Sequence, residues 1–337
     1  MGTASLNQNI GRYENVKRRG VDYILDHANT DGSFGPVEDG FFFYRLPWTF
    51  LVAGETRAAL SICRWVRANM LTESGDFDRG LRKLTDAYAY RNATFIYGAH
   101  MARQYDLSVG CMPFLLSLQD HLSGGFANDL TADGPGDTMD LPYTVGSGLA
   151  CIATGDLDSA RRVYGYLDSL WAQQDELPDR LYYNMSRRTQ KVVREFDHAD
   201  RFWNVVVAQE PVLQRWTVGG IASAFLSRLY MSDPNPDYIS LARRYMKFSM
   251  DSTDGQFDFA PACKSGWGSS LLYQITGDPE YREWTVRLGN WFADTQSSDG
   301  SWADTFPGNG SVSSHIHLVA EFVVHVDNII AGLSSRS

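Results

Sequence analysis

Four residues whose side chains can transfer protons stand at the starts of apolar segments. Asp86 and Asp140 each precede such a segment, Lys264 begins another, and His315 lies near the start of the last. Two carboxylates that face one cavity can divide the roles of general acid and general base. We expect all four to be catalytic. Helix capping by the two aspartates, and a lysine that reaches only to the surface, are the alternatives.

The two histidines of the last segment are considered as a pair. His315 and His317 lie two residues apart, which on a helix directs them to different faces, so at most one is expected to face the cavity. His315 with Glu321 or Asp258 would make a proton-transfer pair. A hydrogen-bonded core histidine is the alternative.

Aromatic residues are abundant, at 13% of the chain, with 9 Trp, 17 Tyr and 18 Phe. Such rings can line a cavity, fold a flexible apolar substrate and stabilise positive charge. The alternative is that they fill the space between two layers of helices. The residues expected to bind substrate are Trp48, Tyr88, Tyr90, Arg91, Tyr143, Trp203, Trp216, Trp267 and Glu321.

A short Gly-x-aromatic phrase recurs along the chain. Its copies occupy residues 31–34, 74–77, 124–126, 254–257 and 299–302. The aromatic residues of successive copies are 43 to 49 residues apart, except for one gap of 131. This period is the length of a helical hairpin with its loops.

The segments between copies alternate in character, which predicts two layers of helices. Segments with one apolar stripe must surround segments that are apolar all round. The predicted outer helices are 10–27, 56–71, 107–119, 159–171, 240–250 and 280–295. The predicted inner helices are 41–53, 85–101, 141–153, 218–230, 265–275 and 314–333. Six of each predict an all-α (α/α)6 barrel, or toroid, as one domain over residues 1–337. Residues 175–210 break the pattern and predict an inserted rim flap, with a β-hairpin as one form of it.

The last copy of the phrase carries a resemblance to a known family. Gln296, Gly300 and Trp302 fit the QxxxGxW repeat of squalene–hopene cyclases, and the chain resembles one toroid of the terpenoid cyclase/protein prenyltransferase superfamily. The DxDD motif with which triterpene cyclases protonate their substrate is missing, and so is the DDxxD metal motif. A diphosphate or an unactivated alkene is therefore not the expected starting material.

The same resemblance raises the question of zinc. Protein prenyltransferase β subunits hold zinc with Asp, Cys and His, and Asp258, Cys263 and His315 stand in comparable places here. The spacing between Asp258 and Cys263 is too long for that pattern, and a core cysteine is the alternative. We expect no cofactor and no metal.

Together these features lead to a functional expectation with two alternatives. We expect a cofactor-independent cyclase or isomerase of a small, largely apolar metabolite, terpenoid or polyketide-like, in secondary metabolism. It would act by folding the substrate and by acid–base polarisation, with pericyclic closure among the reactions included. The first alternative is an (α/α)6 glycoside hydrolase or polysaccharide lyase with Asp86 and Asp140 as the acid pair. The second is a zinc-binding subunit like a prenyltransferase β chain, which needs a partner.

Charge and composition limit the partners. The 337 residues contain 30 Lys+Arg against 40 Asp+Glu, a net charge of -10, which disfavours nucleic acid and anionic membranes. No apolar run approaches the ~20 residues of a membrane span. The four cysteines form no CxxC pair, and no apolar signal stretch opens the sequence. We expect a cytoplasmic monomer or homodimer that binds a small-molecule substrate.

Overall fold

The computed structural model describes residues 3–37, 42–77, 88–302 and 312–336, and in these ranges the side chains of residues 3–5, 313 and 314 are left out. Helices dominate these ranges, and the strands are short. The α-helices are α1 (Thr3–Leu25), α2 (Leu46–Val52), α3 (Thr56–Asn69), α4 (Tyr88–Met101), α5 (Tyr105–Ser108), α6 (Met112–Leu116), α7 (Leu141–Thr154), α8 (Leu157–Ala172), α9 (Thr217–Ser232), α10 (Pro236–Asp251), α11 (Lys264–Thr276), α12 (Pro279–Thr295) and α13 (Val312–Ser334).

The inner helices form a closed ring. Each of α2, α4, α7, α9, α11 and α13 packs against the next, and α13 packs against α2. The outer helices cover this ring and bury one face each. In α8, for example, the buried residues Val163, Tyr166, Leu167 and Leu170 recur at three- and four-residue steps. The chain thus has the predicted (α/α)6 toroid, the fold of the family it resembles.

Close packing of two inner helices fixes the position of a site residue. A Cβ atom on Gly220 of α9 would lie 2.4 Å from the carbonyl oxygen of Lys264, the first residue of α11. A real side chain does not tolerate such a contact, so glycine is needed for this approach. The position of Lys264 is therefore set by backbone packing.

The repeated phrase has one backbone conformation in four of its five copies. Gly32, Gly75, Gly124 and Gly300 have φ between 83° and 90°, a region that glycine enters without strain. The aromatic residue two positions later is buried in each. Gln296 links its copy to α1, because its side-chain amide donates to the carbonyl oxygens of Val16 and Gly300. The copy at 254–257 differs, since it lies in a 3-10 helix, Asp254–Asp258.

One predicted outer helix is interrupted. Residues 107–119 were expected to form a single helix, but the chain forms α5, a 3-10 turn (Val109–Cys111) and α6. Pro113 lies in the first turn of α6, where its missing N–H costs nothing, and it prevents a continuous helix through that point.

The 175–210 segment contains strands, but they pair differently from the expected hairpin. The strands are β1 (Leu130–Thr131), β2 (Gly134–Pro135), β3 (Thr138–Asp140), β4 (Arg180–Tyr182), β5 (Asn184–Ser186) and β6 (Val205–Val207). β5 pairs antiparallel with β3, and β4 pairs antiparallel with β6. Residues 180–186 and 191–196 are joined by an isolated antiparallel bridge, Met185 to Val192, with backbone hydrogen bonds from Ser186 N–H to Lys191 O and from Val193 N–H to Asn184 O. Because β3 leads directly into α7, the β3–β5 pairing positions the start of that inner helix.

The last helix is both long and apolar. By length and composition, the stretch His315–Ser334 of α13 is apolar enough to cross a membrane, unlike what the sequence suggested. In the structure 83% of its apolar window is buried against other helices. That burial is what the core helix of a toroid shows.

Candidate active site

A cavity of about 350 Å³ opens among the first turns of the inner helices. This volume suits a small molecule. Most of its wall comes from the residues just before or just inside α2, α4, α7, α9 and α11, and from the first turns of α13. The lining residues are Tyr44, Arg45, Tyr90, Pro142, Tyr143, Phe202, Trp203, Arg215, Thr217, Ala260, Pro261, Cys263, Lys264, His315, His317, Leu318, Glu321 and Phe322.

At the centre of this wall, one buried carboxylate is shared by two cations. Nη2 of Arg45 lies 3.1 Å from Oε2 of Glu321, and Nζ of Lys264 lies 2.5 Å from Oε1. All three side chains are less than one-tenth exposed. Burial alone would raise the pKa of Glu321, but Arg45 and Lys264 together hold that pKa well below its ordinary value. Glu321 is therefore ionised at neutral pH.

The two cations also contact an aromatic wall. Nη2 of Arg45 donates to the hydroxyl of Tyr90 over 3.2 Å, and Nζ of Lys264 lies 5.8 Å from the centre of the same ring. Burial would lower the pKa of Lys264, but Glu321, Tyr90 and Cys263 together outweigh it and raise that pKa. Lys264 thus keeps its proton. Nε of Arg45 is buried and has no hydrogen-bond partner among the described residues.

His317 completes what we call the Glu321 cluster: Glu321, Arg45, Lys264 and His317. The Tyr44 hydroxyl lies 2.8 Å from Nδ1 of His317, and Nε2 of the same ring lies 3.9 Å from Glu321. Burial and the charge of Arg45 lower the pKa of His317 to about 3. Its imidazole is therefore neutral at pH 7 and is oriented by Tyr44.

A second buried ion pair lies at the start of α7. Oδ1 of Asp140 accepts from the backbone N–H of Tyr143, which caps the helix, and Oδ2 contacts Arg215. The Arg215 guanidinium lies 4.8 Å from the ring centre of Tyr143 and 5.2 Å from that of Trp203. Burial raises the pKa of Asp140, and Arg215 opposes that rise. We call these two residues the Asp140 pair.

Behind the Glu321 cluster lies a group with metal-ligand chemistry. Cys263, Glu321 and His325 present ligand atoms that all lie within 4.8 Å of one another. However, Oε1 of Glu321 already contacts the Lys264 ammonium, and burial raises the pKa of the Cys263 thiol. Both effects oppose a divalent cation, so these residues do not fit a metal. Among the described residues, the group of metal-binding geometry includes neither Asp258 nor His315, which with Cys263 had raised the question of zinc.

The structure brings together part of the predicted site. Lys264, His315, Tyr90, Tyr143, Trp203 and Glu321 line the cavity. Asp86 lies outside the described residues. Both His315 and His317 are lining residues, although at most one was expected, because the cavity extends along the first turns of α13.

Other predicted residues lie away from the cavity wall. Trp48 packs between Tyr97 and Trp267, whose own ring lies 5.4 Å from that of His325. The Tyr88 hydroxyl donates to Asp76. Asp140 reaches the cavity only through Arg215, Trp216 donates its Nε1–H to the carbonyl oxygen of Val212, and Arg91 is buried without being a lining residue. The rings of Trp48, Trp267, Tyr88 and Trp216 thus fill the space between helices, which was the alternative considered for the aromatic residues.

Arg45 and Phe202 are lining residues that the sequence did not indicate. Arg45 is the one charged residue between Phe42 and Ala53, which was a usable signal. A charge in such a stretch needs a partner, but the partner, Glu321, is 276 residues away. Phe202 belongs to a 3-10 helix, His198–Trp203, within the predicted flap.

Comparison with known proteins shows a likeness of structure. No protein-family model and no curated protein matches the sequence. The structure of cellobiose 2-epimerase from Spirochaeta thermophila has a TM-score of 0.67 at 12% identity, covering 98% of this chain and 99% of that one. A D-mannose isomerase gives 0.64 at 14% identity, with 96% and 97% covered. A type II terpene cyclase from Scytonema, bound to geranylgeranyl dihydroxybenzoate, gives 0.59 at 11%, with 97% and 99% covered.

These likenesses establish the α/α toroid and are too distant in sequence to show more than the fold. The similar structures also include a family 76 glycoside hydrolase, at a TM-score of 0.61 and 11% identity. The proteins that share this fold with the chain are thus enzymes of several classes: isomerase, epimerase, cyclase and glycosidase. A choice among these classes depends on the side chains of the cavity.

Proposed function

We propose that this protein is a cofactor-independent isomerase or cyclase that polarises a carbonyl oxygen and transfers a proton in the central cavity. The observation that carries the proposal is the Glu321 cluster. Two cations share one carboxylate beside a neutral imidazole, and all of them face a cavity with aromatic walls. Fixed donors of this kind stabilise negative charge that develops on an oxygen atom.

The first step would be removal of a proton from a carbon next to the carbonyl. His315, which lines the same cavity, is the candidate base. The electron pair of the C–H bond moves to the carbonyl oxygen and gives an enolate. Lys264 and Arg45 donate hydrogen bonds to that oxygen, and neutral His317 is placed beside them by Tyr44. Return of the proton from His315 to another carbon gives an isomer. When the enolate carbon instead attacks a second carbonyl carbon of the same substrate, that C=O π bond breaks, its oxygen takes the proton from His315, and a ring results.

The walls favour a flat, unsaturated substrate, terpenoid or polyketide-like. Tyr90, Tyr143, Phe202, Trp203 and Phe322 contribute rings to the lining. Such rings hold a conjugated molecule in one orientation and exclude water from it. A guided pericyclic closure uses the same two features, orientation by rings and polarisation of an oxygen.

Carbohydrate processing is the second candidate, and the fold is shared with such enzymes. A glycoside hydrolase needs two carboxyl groups on opposite sides of the scissile bond. Within the described part of the chain, Glu321 is the one carboxylate that lines the cavity, and its two cations keep it from donating a proton. An isomerase or epimerase of sugars requires the proton transfer proposed here, and it differs only in substrate.

Solvent deuterium exchange tests the proposal. The protein is incubated in D2O with three groups of compounds: enolisable unsaturated ketones, the reducing sugars D-mannose and cellobiose, and α-mannan oligosaccharides. Proton NMR then follows loss of the C–H signal beside the carbonyl. We expect exchange or rearrangement in the first group. Exchange in the sugars alone would identify a sugar isomerase or epimerase, and release of sugar from the oligosaccharides without exchange would refute the proposal.

A further inference from the structure

We propose that the substrate carries a carboxylate on a flat unsaturated skeleton and that this carboxylate binds between Lys264 and Arg215, beside the carbonyl oxygen that Arg45 and a second N–H of Lys264 hold. The inference rests on the proposed function in taking the cavity as the reactive site, and it adds the charge of the substrate. It is argued from the number and placement of charges around the cavity.

The Glu321 cluster has one more cation than it has carboxylates. Arg45 and Lys264 both contact Glu321, each at one oxygen. Within the described ranges, Glu321 is the carboxylate that lines this cavity, whereas three cations do so: Arg45, Lys264 and Arg215. A buried charge without a counter-charge costs free energy, so an excess cation in a buried wall favours an anionic ligand.

The Asp140 pair does not absorb this excess. Oδ2 of Asp140 contacts Arg215, and Oδ1 is used to cap α7, so this carboxylate is fully engaged. Lys264 and Arg215 line the same cavity, and the charge of Lys264 also opposes the rise in the pKa of Asp140. An anion near Lys264 is thus close to cations on both sides. The buried Nε of Arg45, which finds no hydrogen-bond partner in the described part of the chain, marks incomplete pairing in the same cluster.

The rest of the wall indicates a flat skeleton. The guanidinium of Arg215 lies over the rings of Tyr143 and Trp203, and Lys264 lies over Tyr90. Rings that already stand beside the cations offer flat faces on which a planar group can stack. A carboxylate is the anion that guanidinium and ammonium groups bind in one plane with such a skeleton.

Matched probes of equal shape test the proposal without turnover. Calorimetric titration compares benzoate, its neutral isostere benzamide, and inorganic phosphate. We expect benzoate to bind about tenfold or more tightly than benzamide, the ratio that one charge-assisted hydrogen bond gives. Equal affinities, a preference for benzamide, or no benzoate binding overturns the proposal. Phosphate binding as tightly as benzoate overturns the flat-carboxylate class, because it would mean that the rings contribute nothing.

Two variants assign the effect to the Glu321 cluster and give opposite signs. Lys264→Met removes the excess cation, so the affinity for benzoate should fall to that for benzamide. Glu321→Gln removes the carboxylate, so benzoate should bind more tightly than in the wild type. Lys247→Met removes an exposed lysine of α10 and should change neither affinity.

The wild-type comparison keeps the proposal testable if a variant does not fold. A benzoate preference that survives Lys264→Met overturns the assignment to this cluster. Because these titrations need no turnover, their failure leaves the deuterium-exchange result standing, and the two proposals fail separately.

Discussion

Two buried ion-pair groups meet at the cavity and differ in how their charges are matched. In the Asp140 pair, one carboxylate faces one guanidinium and also caps α7. In the Glu321 cluster, one carboxylate faces two cations and has no capping role among its hydrogen bonds. The first group is complete within the protein. The second leaves positive charge at the cavity surface, where a substrate oxygen can meet it.

This difference suggests separate roles for the two groups. A matched pair that also caps a helix stabilises the start of that helix, and removing its carboxylate strands a buried cation. The Glu321 cluster, whose charges are not matched, should contribute less to the stability of the fold than the Asp140 pair and more to substrate binding and reaction. Loss of stability and loss of function should therefore separate between the two groups.

The largest expected effect is on stability, in Asp140→Ala. The substitution leaves Arg215 buried without its carboxylate and α7 without its cap, and we expect a loss of about 3–5 kcal/mol in the free energy of unfolding. Urea denaturation measures this. The matched control is Asp156→Ala, because Asp156 caps α8 through the N–H of Ser159 without a buried arginine. That control should lose about 1 kcal/mol. Equal losses in the two variants would mean that the ion pair of Asp140 with Arg215 adds nothing to stability beyond the helix cap.

Acid should destabilise the protein through the Glu321 cluster. Burial lowers the pKa of His317 to about 3 and that of His325 to about 4, both from 6.5. Below pH 6.5 the unfolded chain takes up protons that the folded chain refuses, so stability falls from pH 6.5 toward pH 4. Each histidine contributes a slope of at most about 1.4 kcal/mol per pH unit. The pKa of Glu321 is also lowered in the folded protein, from an ordinary value of 4.5. Below that pH its protonation in the unfolded chain therefore reduces stability further.

The variant His317→Gln isolates one part of this pH dependence. It removes one titrating group, so the fall in stability toward pH 4 should be shallower than in the wild type. Urea midpoints at pH 7, 6, 5 and 4 give the comparison. An unchanged slope would mean that the pKa of His317 is the same in the folded as in the unfolded protein, and would contradict its lowering by burial.

A smaller loss of stability is expected for Glu321→Gln. The amide oxygen still accepts from one of the two cations, and both cations line the cavity, where water can reach them. We therefore expect a loss of about 1–3 kcal/mol, less than for a cation left buried without any acceptor. Benzoate should restore part of it, because an anion from solution can reach this cluster. Thermal melting with and without benzoate shows this. If benzoate does not raise the melting temperature of Glu321→Gln, the cluster is not accessible to an anion from solution, which would contradict the account.

The smallest effect concerns the half-exposed ring over Arg215. Trp203 is 42% exposed, and its contact with the guanidinium is 5.2 Å. Trp203→Ala should cost at most about 1 kcal/mol of stability, as partly exposed cation–π contacts do. The affinity for benzoate should fall severalfold, which titration measures. A large loss of stability would mean that Trp203 stabilises the fold together with the Asp140 pair and is not mainly a substrate-binding residue.

The layered fold could be predicted from the sequence because its signals are local. The spacing of the phrase and the alternation of apolar and striped segments each lie within one hairpin. Predicted helices such as 141–153 and 280–295 differ from α7 and α12 only at their ends. The pairing of β3 with β5 was missed, because it joins strands more than 40 residues apart that have no distinctive pattern.

The site could be predicted only in part, for the same physical reason. Lys264 and Glu321 were indicated as polar residues in apolar stretches, but nothing in either segment shows that they meet. Arg45 was missed because its partner comes from the other end of the chain. Trp48 and Trp267 were expected in the wall, whereas they pack against each other, and helix periodicity alone does not say which side of an all-apolar helix faces the centre.

The most direct test of the central claim is the exchange rate in Lys264→Met. The measurement is the rate of deuterium incorporation beside the carbonyl of the compound that the wild type accepts, with Lys247→Met as control. If the Glu321 cluster stabilises the enolate, the rate should fall by about 100-fold or more in Lys264→Met and by less than about twofold in the control. A folded Lys264→Met protein that exchanges at the wild-type rate would contradict the account.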